Sequence, residues 1–239
     1  NDYVDSFVIA DCLRFGRINK EVYLGDYRYK ALQNLTRARF YAVQNLIREK
    51  QRFLNVLFKK YSTMTQEKVF SDTFSATALA VYEEFESAEA LVHMDLQELT
   101  DFIMEKGKNR FPDPDAVAKA IQKAARSSYR LPKTINDSVN QVLSISITSI
   151  KALESQIKEF DKAITAQSEL LSNVLISIPG IGPVISAGIM SEIGDINRFP
   201  SQSQLGKYAG LAWTQHQSGD FEAETTHQIQ SGNRFLKYY

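Results

Sequence analysis

The sequence predicts a mainly α-helical protein, and three features predict that fold class. Residues 27–61 and 134–171 contain neither Gly nor Pro, and both repeat apolar residues at steps of three and four. Residues 72–132 show shorter helical patterns that begin at Ser or Asp. A Gly-Pro turn near residue 180 precedes an apolar helix. We therefore expect a long antiparallel coiled coil with a small helical insert, followed by a helical C-terminal domain containing a helix-hairpin-helix-like motif.

The composition is ordinary for a soluble globular chain of 239 residues, with 44% hydrophobic and 23% charged residues. A single cysteine, Cys12, excludes an internal disulfide framework and fits a reducing compartment. The longest apolar run, Val174 to Met190, is too broken by Pro and Gly to span a membrane, and no signal-like segment opens the chain.

The net charge is zero, but basic residues concentrate at the start of the chain. Residues 1–60 hold twelve Lys/Arg and six Asp/Glu, a net charge of +6, whereas residues 61–99 hold one Lys and eight Asp/Glu, a net charge of −7. The basic segment could face a polyanion such as nucleic acid. The two segments could equally face each other across a helical bundle, and charge alone does not separate these interpretations.

Two carboxylates three residues apart open the chain. Asp2 and Asp5 precede apolar residues at helical spacing, so they share one face of a helix. Two carboxylates on one face can hold a divalent cation such as Mg²⁺ through oxygen ligands, as in metal-assisted phosphoryl transfer. The alternative, which spacing alone favours, is that one of them caps the helix N-terminus.

The two long helical segments carry matching apolar seams, and Arg39 and Glu49 interrupt the first seam. Matched seams favour an antiparallel coiled coil within one chain, although the polar interruptions are also compatible with pairing in a dimer. The predicted seam positions are Leu32, Leu35, Ala42, Leu46, Phe53 and Val56 in the first segment, and Ile135, Val139, Val142, Leu153, Ile157, Phe160 and Ile164 in the second.

The segment between them predicts a small helical module without functional residues. We expect helices over Ser75–Glu84 and Asp95–Lys106, and a third that opens at Asp113-Pro114-Asp115. His93 has no Cys or carboxylate at ligand spacing, so it is interpreted as a surface or boundary histidine.

The sequence Pro179-Gly180-Ile181-Gly182-Pro183 predicts a tight turn before an apolar helix over Ile185–Ile193. This pattern resembles a helix-hairpin-helix motif, in which backbone N–H groups of the turn and the helix N-terminus contact a DNA phosphate. The alternative is a simple turn between helices, where glycines permit close packing and nothing binds.

A further helix over Gln202–Ala209 leads to a polar stretch that ends on Ser218-Gly219. A serine beside glycine on a turn can present its hydroxyl to a phosphate, but Ser-Gly is also a common turn dipeptide. The G-x-S-x-G signature of hydrolases is absent, so acyl chemistry is not indicated. His216 lies two residues before the serine and is a candidate base.

The run from Ser177 to Gly219, followed by residues 231–239, closely resembles the C-terminal transposase domain of the IS one-ten family of insertion sequences. Residues 1–17 resemble the end of the same family's RuvC-like domain. The two matches occur in the family's order, separated by a coiled coil. The resemblance implies four parts: a RuvC-like remnant (1–20), a coiled coil (21–61 and 134–171), a helical insert (62–133) and a transposase domain (172–239).

The resemblance implies a DEDD-type DNA transposase or recombinase. By motif, Asp2 and Asp5 match the last two acidic ligands of Mg²⁺, and Ser218 matches a nucleophile that forms a transient phosphoserine link with DNA. The family further implies a guide (bridge) RNA, a homo-oligomer (dimer or tetramer) with shared sites, and a prokaryotic cytoplasmic protein at the nucleoid. Predicted DNA contacts are Gly180, Gly182, Gly219, Asn233 and Arg234.

This sequence departs from the family pattern at three places, the smallest of which is Ser6, where the family often has Ala after the second aspartate. Residues 228–233 lack the basic pair that commonly precedes the family's Gly-Asn, which leaves Arg234 as the nearest cation. The first Asp and the Glu of the acidic tetrad have no counterpart within these 239 residues, so we interpret the chain as a fragment and expect it to be catalytically inactive alone.

Two other classes of protein are compatible with the residues. One is a non-catalytic DNA-binding module built on the Gly180–Gly182 turn, which would bind in a salt-sensitive manner without Ser218. The other is a structural coiled-coil protein that binds no nucleic acid.

Overall fold

A computed structural model describes residues 2–17, 25–213, 217–218, 221–222 and 227–239. The chain divides into two compact units: unit one comprises residues 1–36 and 167–239, and unit two comprises residues 37–166. The described residues are mainly helical, which confirms the predicted fold class. None of their helices combines the length and the apolar character that a membrane crossing needs.

Ten helices and one two-stranded antiparallel sheet make up the regular structure of the described residues. Single 3₁₀ turns lie at Leu175–Ser177 and Ile196–Arg198. In chain order the elements are α1 (Asp2–Arg14), α2 (Tyr27–Lys60), α3 (Ala76–Glu84), α4 (Ala88–His93), α5 (Leu96–Lys106), α6 (Pro114–Arg126), α7 (Lys133–Ser168), α8 (Pro183–Ile193), α9 (Gln202–Tyr208), β1 (Gln217–Ser218), β2 (Phe221–Glu222) and α10 (Arg234–Tyr238).

In unit two, α2 and α7 pack antiparallel to each other. Arg39 of α2 pairs with Asp161 of α7, whereas Lys50, further along α2, pairs with Glu154 at a distance of 2.7 Å between Nζ and Oε1. Glu49 accepts a hydrogen bond from the hydroxyl of Ser146. The polar residues that interrupt the predicted seam therefore find partners across it. Coiled-coil packing of side chains stays a prediction.

The seam predicted for α7 is right at some positions and wrong at others. Val139 and Ile164 are buried, at 6% and 0% exposure, but Ile135 and Val142 are 48% and 49% exposed. Asn136 and Leu143, one position later, are buried instead. The insert explains why the buried positions differ from the predicted ones. Asn136 Nδ2 donates to the carbonyl of Glu86 in the insert at 2.6 Å, so the face of α7 that carries Asn136 packs against the insert.

The insert forms the large apolar core of unit two. Its helices begin where their capping residues predict: Ser75, Asp95 and Asp113 each accept hydrogen bonds from the first turn of α3, α5 and α6. The short helix α4 was not predicted from the sequence. The core includes Phe53, Leu57, Tyr61, Met64, Tyr82, Leu91, Leu99, Ile103, Ile121, Leu143 and Ile147.

One charged side chain lies inside this core. Lys60 is only 2% exposed, and its Nζ donates to the carbonyl of Tyr82 at 2.9 Å. Burial lowers the pKa of the Lys60 amine to about 8, and the nearby Glu86 carboxylate acts in the opposite direction.

Some of the basic residues at the start of the chain have acidic partners close by in the sequence. They fall in both units, and several pair locally: Arg17 with Asp11, Arg28 with Asp26, and Arg52 with Glu49. In the acidic segment, Glu67 pairs with Lys123 and Glu83 with Lys151, whereas the Glu86 carboxylate acts on Lys60 of the basic segment. Contact of the basic segment with a polyanion stays a prediction.

Unit one places α8 against α10 and the start of α2. The hydroxyl of Tyr239 donates to the carbonyl of Thr36 at 3.2 Å, and the hydroxyls of Thr36 and Ser191 are 3.1 Å apart. A Cβ at Gly188 would overlap two ring carbons of Tyr239, so this ring would have to move before a side chain could fit there. These contacts bring the C-terminal end of the chain onto the same small core as α8.

Candidate functional site

Ser218, the predicted nucleophile, lies on the two-residue strand β1. β1 pairs antiparallel with β2, and Ser218 stands opposite Phe221. Gly219, which joins the strands together with Asp220, and His216, the candidate base, lie outside the described residues. We call residues 213–228 the Ser218 segment.

The base of the Ser218 segment is closed by main-chain contacts. Trp213 and Gln228 form an isolated antiparallel bridge, and the amide of Ile229 donates to the carbonyl of Ala212 at 2.8 Å. One step further out, the amide of Asn233 donates to the carbonyl of Tyr208 at 2.7 Å. The chain thus enters and leaves the segment along two adjacent stretches of backbone, residues 208–213 and 228–233.

Two glycines allow these backbones to meet. Gly210 and Gly232 have φ values of +76° and +124°, a region that side chains disfavour. A Cβ on Gly232 would lie 2.6 Å from both the N and the Cα of Gly210. A Cβ on Gly210 would lie 2.9 Å from the carbonyl oxygen of Ser231. Only glycine fits at either position.

Asn233 was predicted to contact DNA, but both polar atoms of its side-chain amide form hydrogen bonds within the protein. Its Oδ1 accepts hydrogen bonds from the amides of Phe235 and Leu236 and thereby caps α10. Its Nδ2 donates to Glu192 Oε2 at 2.7 Å and to the Tyr208 hydroxyl at 3.1 Å. A DNA contact through this amide stays a prediction, and these bonds weigh against it. Arg234, the next residue, is exposed.

A buried glutamate, Glu192, forms hydrogen bonds with α2, with α9 and with Asn233 before α10. Glu192 is 2% exposed and is the only charged residue of α8. Besides Asn233, Gln33 Nε2 donates to its Oε2 at 3.1 Å, and the hydroxyl of Tyr208 donates to its backbone carbonyl at 3.3 Å. The guanidinium of Arg198 lies 4.8 Å from the centre of the Tyr208 ring.

The predicted metal ligands, Asp2 and Asp5, both lie in the first turn of α1. No residue of α1 is buried, and its large apolar side chains are exposed, including Tyr3 at 80% and Phe7 at 66%. Among the described residues, no group of three or more His, Cys, Asp or Glu side chains could hold a metal ion. The pair of carboxylates therefore offers a partial ligand set.

The turn at Gly180 and Gly182 presents open backbone. The amide of Ile181 donates to the carbonyl of Ile178 at 3.1 Å, and the order Pro179-Gly180 with φ +90° at Gly180 is typical of a type II turn. Gly182 is the N-cap of α8 and supplies no side-chain cap. A Cβ at either glycine would meet nothing within 4 Å. The helix α8 begins at Pro183, two residues earlier than predicted.

Comparison with known proteins matches both ends of the chain to one family. Residues 172–239 match the family model described as "Transposase IS116/IS110/IS902 family", and residues 1–61 match the DEDD transposase model of IS110. The chain belongs to the IS110/IS116 transposase family. The resemblance seen in the sequence is thereby confirmed.

Two curated relatives of the IS110/IS116 family match with moderate identity. The "insertion element IS116 uncharacterized 44.8 kDa protein" of Streptomyces clavuligerus is 27% identical over 99% of this chain and 58% of its own length. The "insertion element IS110 uncharacterized 43.6 kDa protein" of Streptomyces coelicolor is 31% identical over 54% of this chain and 37% of its own length. This chain therefore spans well under two thirds of either relative. No solved structure matches it.

For this IS110/IS116 family chain, sequence reasoning missed the residues that hold the Ser218 segment in place: Glu192, Tyr208, Gly210 and Gly232. One signal was available. A single carboxylate in the apolar helix α8 is a sign of a buried, hydrogen-bonded charge. The contact between the glycines had no local signal, because they are far apart in the sequence.

Proposed function

We propose that this chain forms part of a DNA transposase or recombinase of a mobile element, in which Ser218 is the nucleophile. The observation that carries the proposal is that two models of one transposase family match the two ends of the chain. One match contains Asp2 and Asp5, and the other contains Ser218. Each of these three residues is assigned its role from its position in a family motif.

In the proposed reaction, Ser218 Oγ forms a bond to a DNA phosphorus while the bond from that phosphorus to one sugar oxygen breaks. The serine proton passes to a base, for which His216 is the nearest candidate, and the departing sugar oxygen takes up a proton. Attack by a hydroxyl of another strand on the phosphoserine reverses these steps and joins the strands. The energy of the phosphodiester bond is conserved throughout.

The carboxylates of Asp2 and Asp5 fit a divalent cation in the chemistry of their donors, since both are exposed and lie on one helix face. Bound there, Mg²⁺ would polarise the scissile phosphate as a Lewis acid. Two carboxylates leave most of an octahedral shell to water, phosphate and other ligands. We expect two further acidic ligands to come from outside these residues, and we expect the 239-residue chain alone to leave DNA uncut. Mg²⁺-dependent cleavage by the purified chain would contradict that expectation.

The test of the nucleophile is a covalent trap. The full-length protein is incubated with labelled DNA of the element's ends and denatured, and the DNA-linked protein is quantified. Ser218→Ala should abolish the adduct. Ser203→Ala, at an exposed serine of α9, is the matched control and should retain it. An undiminished adduct in the Ser218→Ala protein would refute the assignment.

The open turn at Gly180 and Gly182 supports a DNA contact in its own right. Because nothing fills the space in front of either glycine, a phosphate can approach the backbone amides at the start of α8. Such a contact would be independent of base sequence and sensitive to salt. It also supports the second candidate function, a DNA-binding module without catalysis, which predicts that DNA affinity survives Ser218→Ala.

The family resemblance also underlies the proposed partners: a guide RNA and further copies of the chain, with sites completed between protomers. Copurification of a discrete RNA with the full-length protein, and its mass in solution, test these two proposals separately.

A further inference from the structure

The two backbones that frame the Ser218 segment meet at one buried carboxylate. On the incoming side, Tyr208 donates its hydroxyl to the Glu192 carbonyl and lies two residues before Gly210. On the outgoing side, Asn233 donates to Glu192 Oε2 and directly follows Gly232. Gly210 and Gly232 lie against each other, so Tyr208 and Asn233 are attached to adjacent backbone next to the base of the segment.

The chemistry of the cluster requires an acceptor at position 192. Gln33 and Asn233 both present amide N–H groups to the same carboxylate oxygen, at 3.1 and 2.7 Å. The Oδ1 of Asn233 is already used to cap α10, so its amide cannot flip without losing that cap. A carboxylate that is 2% exposed is costly unless such donors surround it. The cap therefore directs the Asn233 N–H groups towards position 192, and Glu192 supplies the acceptor that they require.

We propose that Glu192 is a positioning residue for the Ser218 reaction: through Asn233 and Tyr208 it fixes the Gly210–Gly232 contact from which the Ser218 segment extends. This inference rests on the proposed nucleophilic role of Ser218 for its effect on the reaction, but its structural half does not. In this assignment Glu192 does not contact the substrate. Its effect is on where the serine is held.

An exchange of donor and acceptor tests the proposal. Glu192→Gln places an amide against the amide of Asn233, and Asn233→Asp places two carboxylates together. In the double variant Glu192→Gln/Asn233→Asp, donor and acceptor are swapped and the new carboxylate can still cap α10. The pair between positions 192 and 233 is restored, and Gln33 can accept from the new amide if it turns its own amide over. All four proteins are compared in the full-length form, with circular dichroism to confirm that each is folded.

The first readout is amide hydrogen exchange at Ile229 and Asn233, whose N–H groups donate across the base of the segment to Ala212 and Tyr208. We expect each single variant to exchange at least tenfold faster there than the wild type, and the double variant to return to within threefold. Amides in unit two, such as Leu99, are the internal reference. Equal exchange in all four proteins would overturn the proposal.

The second readout is the rate of the covalent adduct with DNA. We expect each single variant to lose at least tenfold in rate with DNA affinity changed less than threefold, and the double variant to recover most of that rate. Full adduct rates in the single variants, or losses that multiply in the double variant, would overturn the positioning role. If the wild type forms no adduct, or Ser218→Ala keeps it, the nucleophile assignment fails, and the exchange experiment still decides whether Glu192 holds the base.

Discussion

The two units of this chain are stabilised in different ways. Unit two has a large apolar core built from α2, α7 and the insert, with Phe53, Leu57 and Tyr61 fully buried. Unit one contains many exposed apolar side chains, and its interior is held by hydroxyl and amide contacts around Ser191 and Glu192 and by glycines that face backbone or an aromatic ring. Unit two can therefore absorb surface changes, whereas unit one depends on a few polar partners and on the absence of side chains.

The largest effect should come from the apolar core of unit two. Phe53→Ala removes a ring that is 0% exposed and lies 5.5 Å and 6.0 Å from the ring centres of Phe74 and Tyr82. We expect a loss of about 3–5 kcal/mol in the free energy of unfolding, measured by denaturant titration. Phe58→Ala, at a side chain that is 40% exposed, is the control and should cost far less. Similar losses in both variants would show that this core is not the source of stability.

The second largest loss of stability should come from the addition of a single methyl group in unit one. Gly232→Ala places a Cβ against the backbone of Gly210 and also strains a residue at φ +124°. We expect a loss of about 2–4 kcal/mol, read from thermal unfolding or from exchange of the Asn233 amide. Gly206→Ala, in open space on α9, should be neutral or slightly stabilising. If the Gly232→Ala protein were as stable as the wild type, the close contact between glycines would not be what stabilises unit one.

A third effect depends on pH and comes from the buried charge of unit two, Lys60. The pKa of Lys60 is lowered to about 8 in the folded state, against 10.5 for the free side chain, so the unfolded chain binds more protons between these values. The cost of burying the charged amine therefore falls as pH rises through this window. We expect wild-type stability to rise by up to about 2 kcal/mol relative to Lys60→Met between pH 7 and 9.5.

This comparison uses urea titrations at several pH values. The upper limit stays below pH 10, because burial raises the pKa of both Tyr61 and Tyr82, and ionisation of these phenols in the unfolded chain then opposes the trend. Parallel pH curves for the two proteins would show that Lys60 is charged to the same extent in both states.

The smallest effect on stability should accompany a clear effect on binding. Gly182 has no strained φ and faces open space, so Gly182→Leu should change the free energy of unfolding by less than about 1 kcal/mol. If the turn contacts DNA, the added side chain blocks the backbone and we expect at least a fivefold loss of affinity in a filter or mobility assay. Gly206→Leu is the matched control. Unchanged affinity in Gly182→Leu would remove the turn from the DNA interface.

The sequence predicted those parts of the fold that depend only on neighbouring residues, such as the helix N-termini. Ser75, Asp95 and Asp113 cap helices where the sequence places them, because a cap needs only its own first turn. Ile135 and Val142 were assigned to the wrong face because a three-four spacing does not say which side the insert covers. The six-residue helix α4 is too short to show a period.

The site was predicted only as far as family motifs reach. Ser218 and the acidic pair follow from the motif, but the two-residue strand at Ser218 has no periodicity that a sequence shows. Asn233 could have been interpreted as a helix cap from its place before Arg234-Phe235-Leu236, and the structure gives it that role. The glycine contact and the Glu192 cluster join residues that are distant in sequence, so only the folded chain reveals them.

The contact between Gly210 and Gly232 has a genetic consequence. A crowded side chain can usually be relieved by shrinking its neighbour, but here the atoms on both sides belong to the main chain: the N and Cα of Gly210 and the carbonyl of Tyr208. No second substitution at a contacting residue can make room for a side chain at position 232. A screen for mutations in the same gene that rescue Gly232→Ala should therefore return reversions to glycine. We also expect that neither position 210 nor position 232 accepts another residue, even when the other position is changed first.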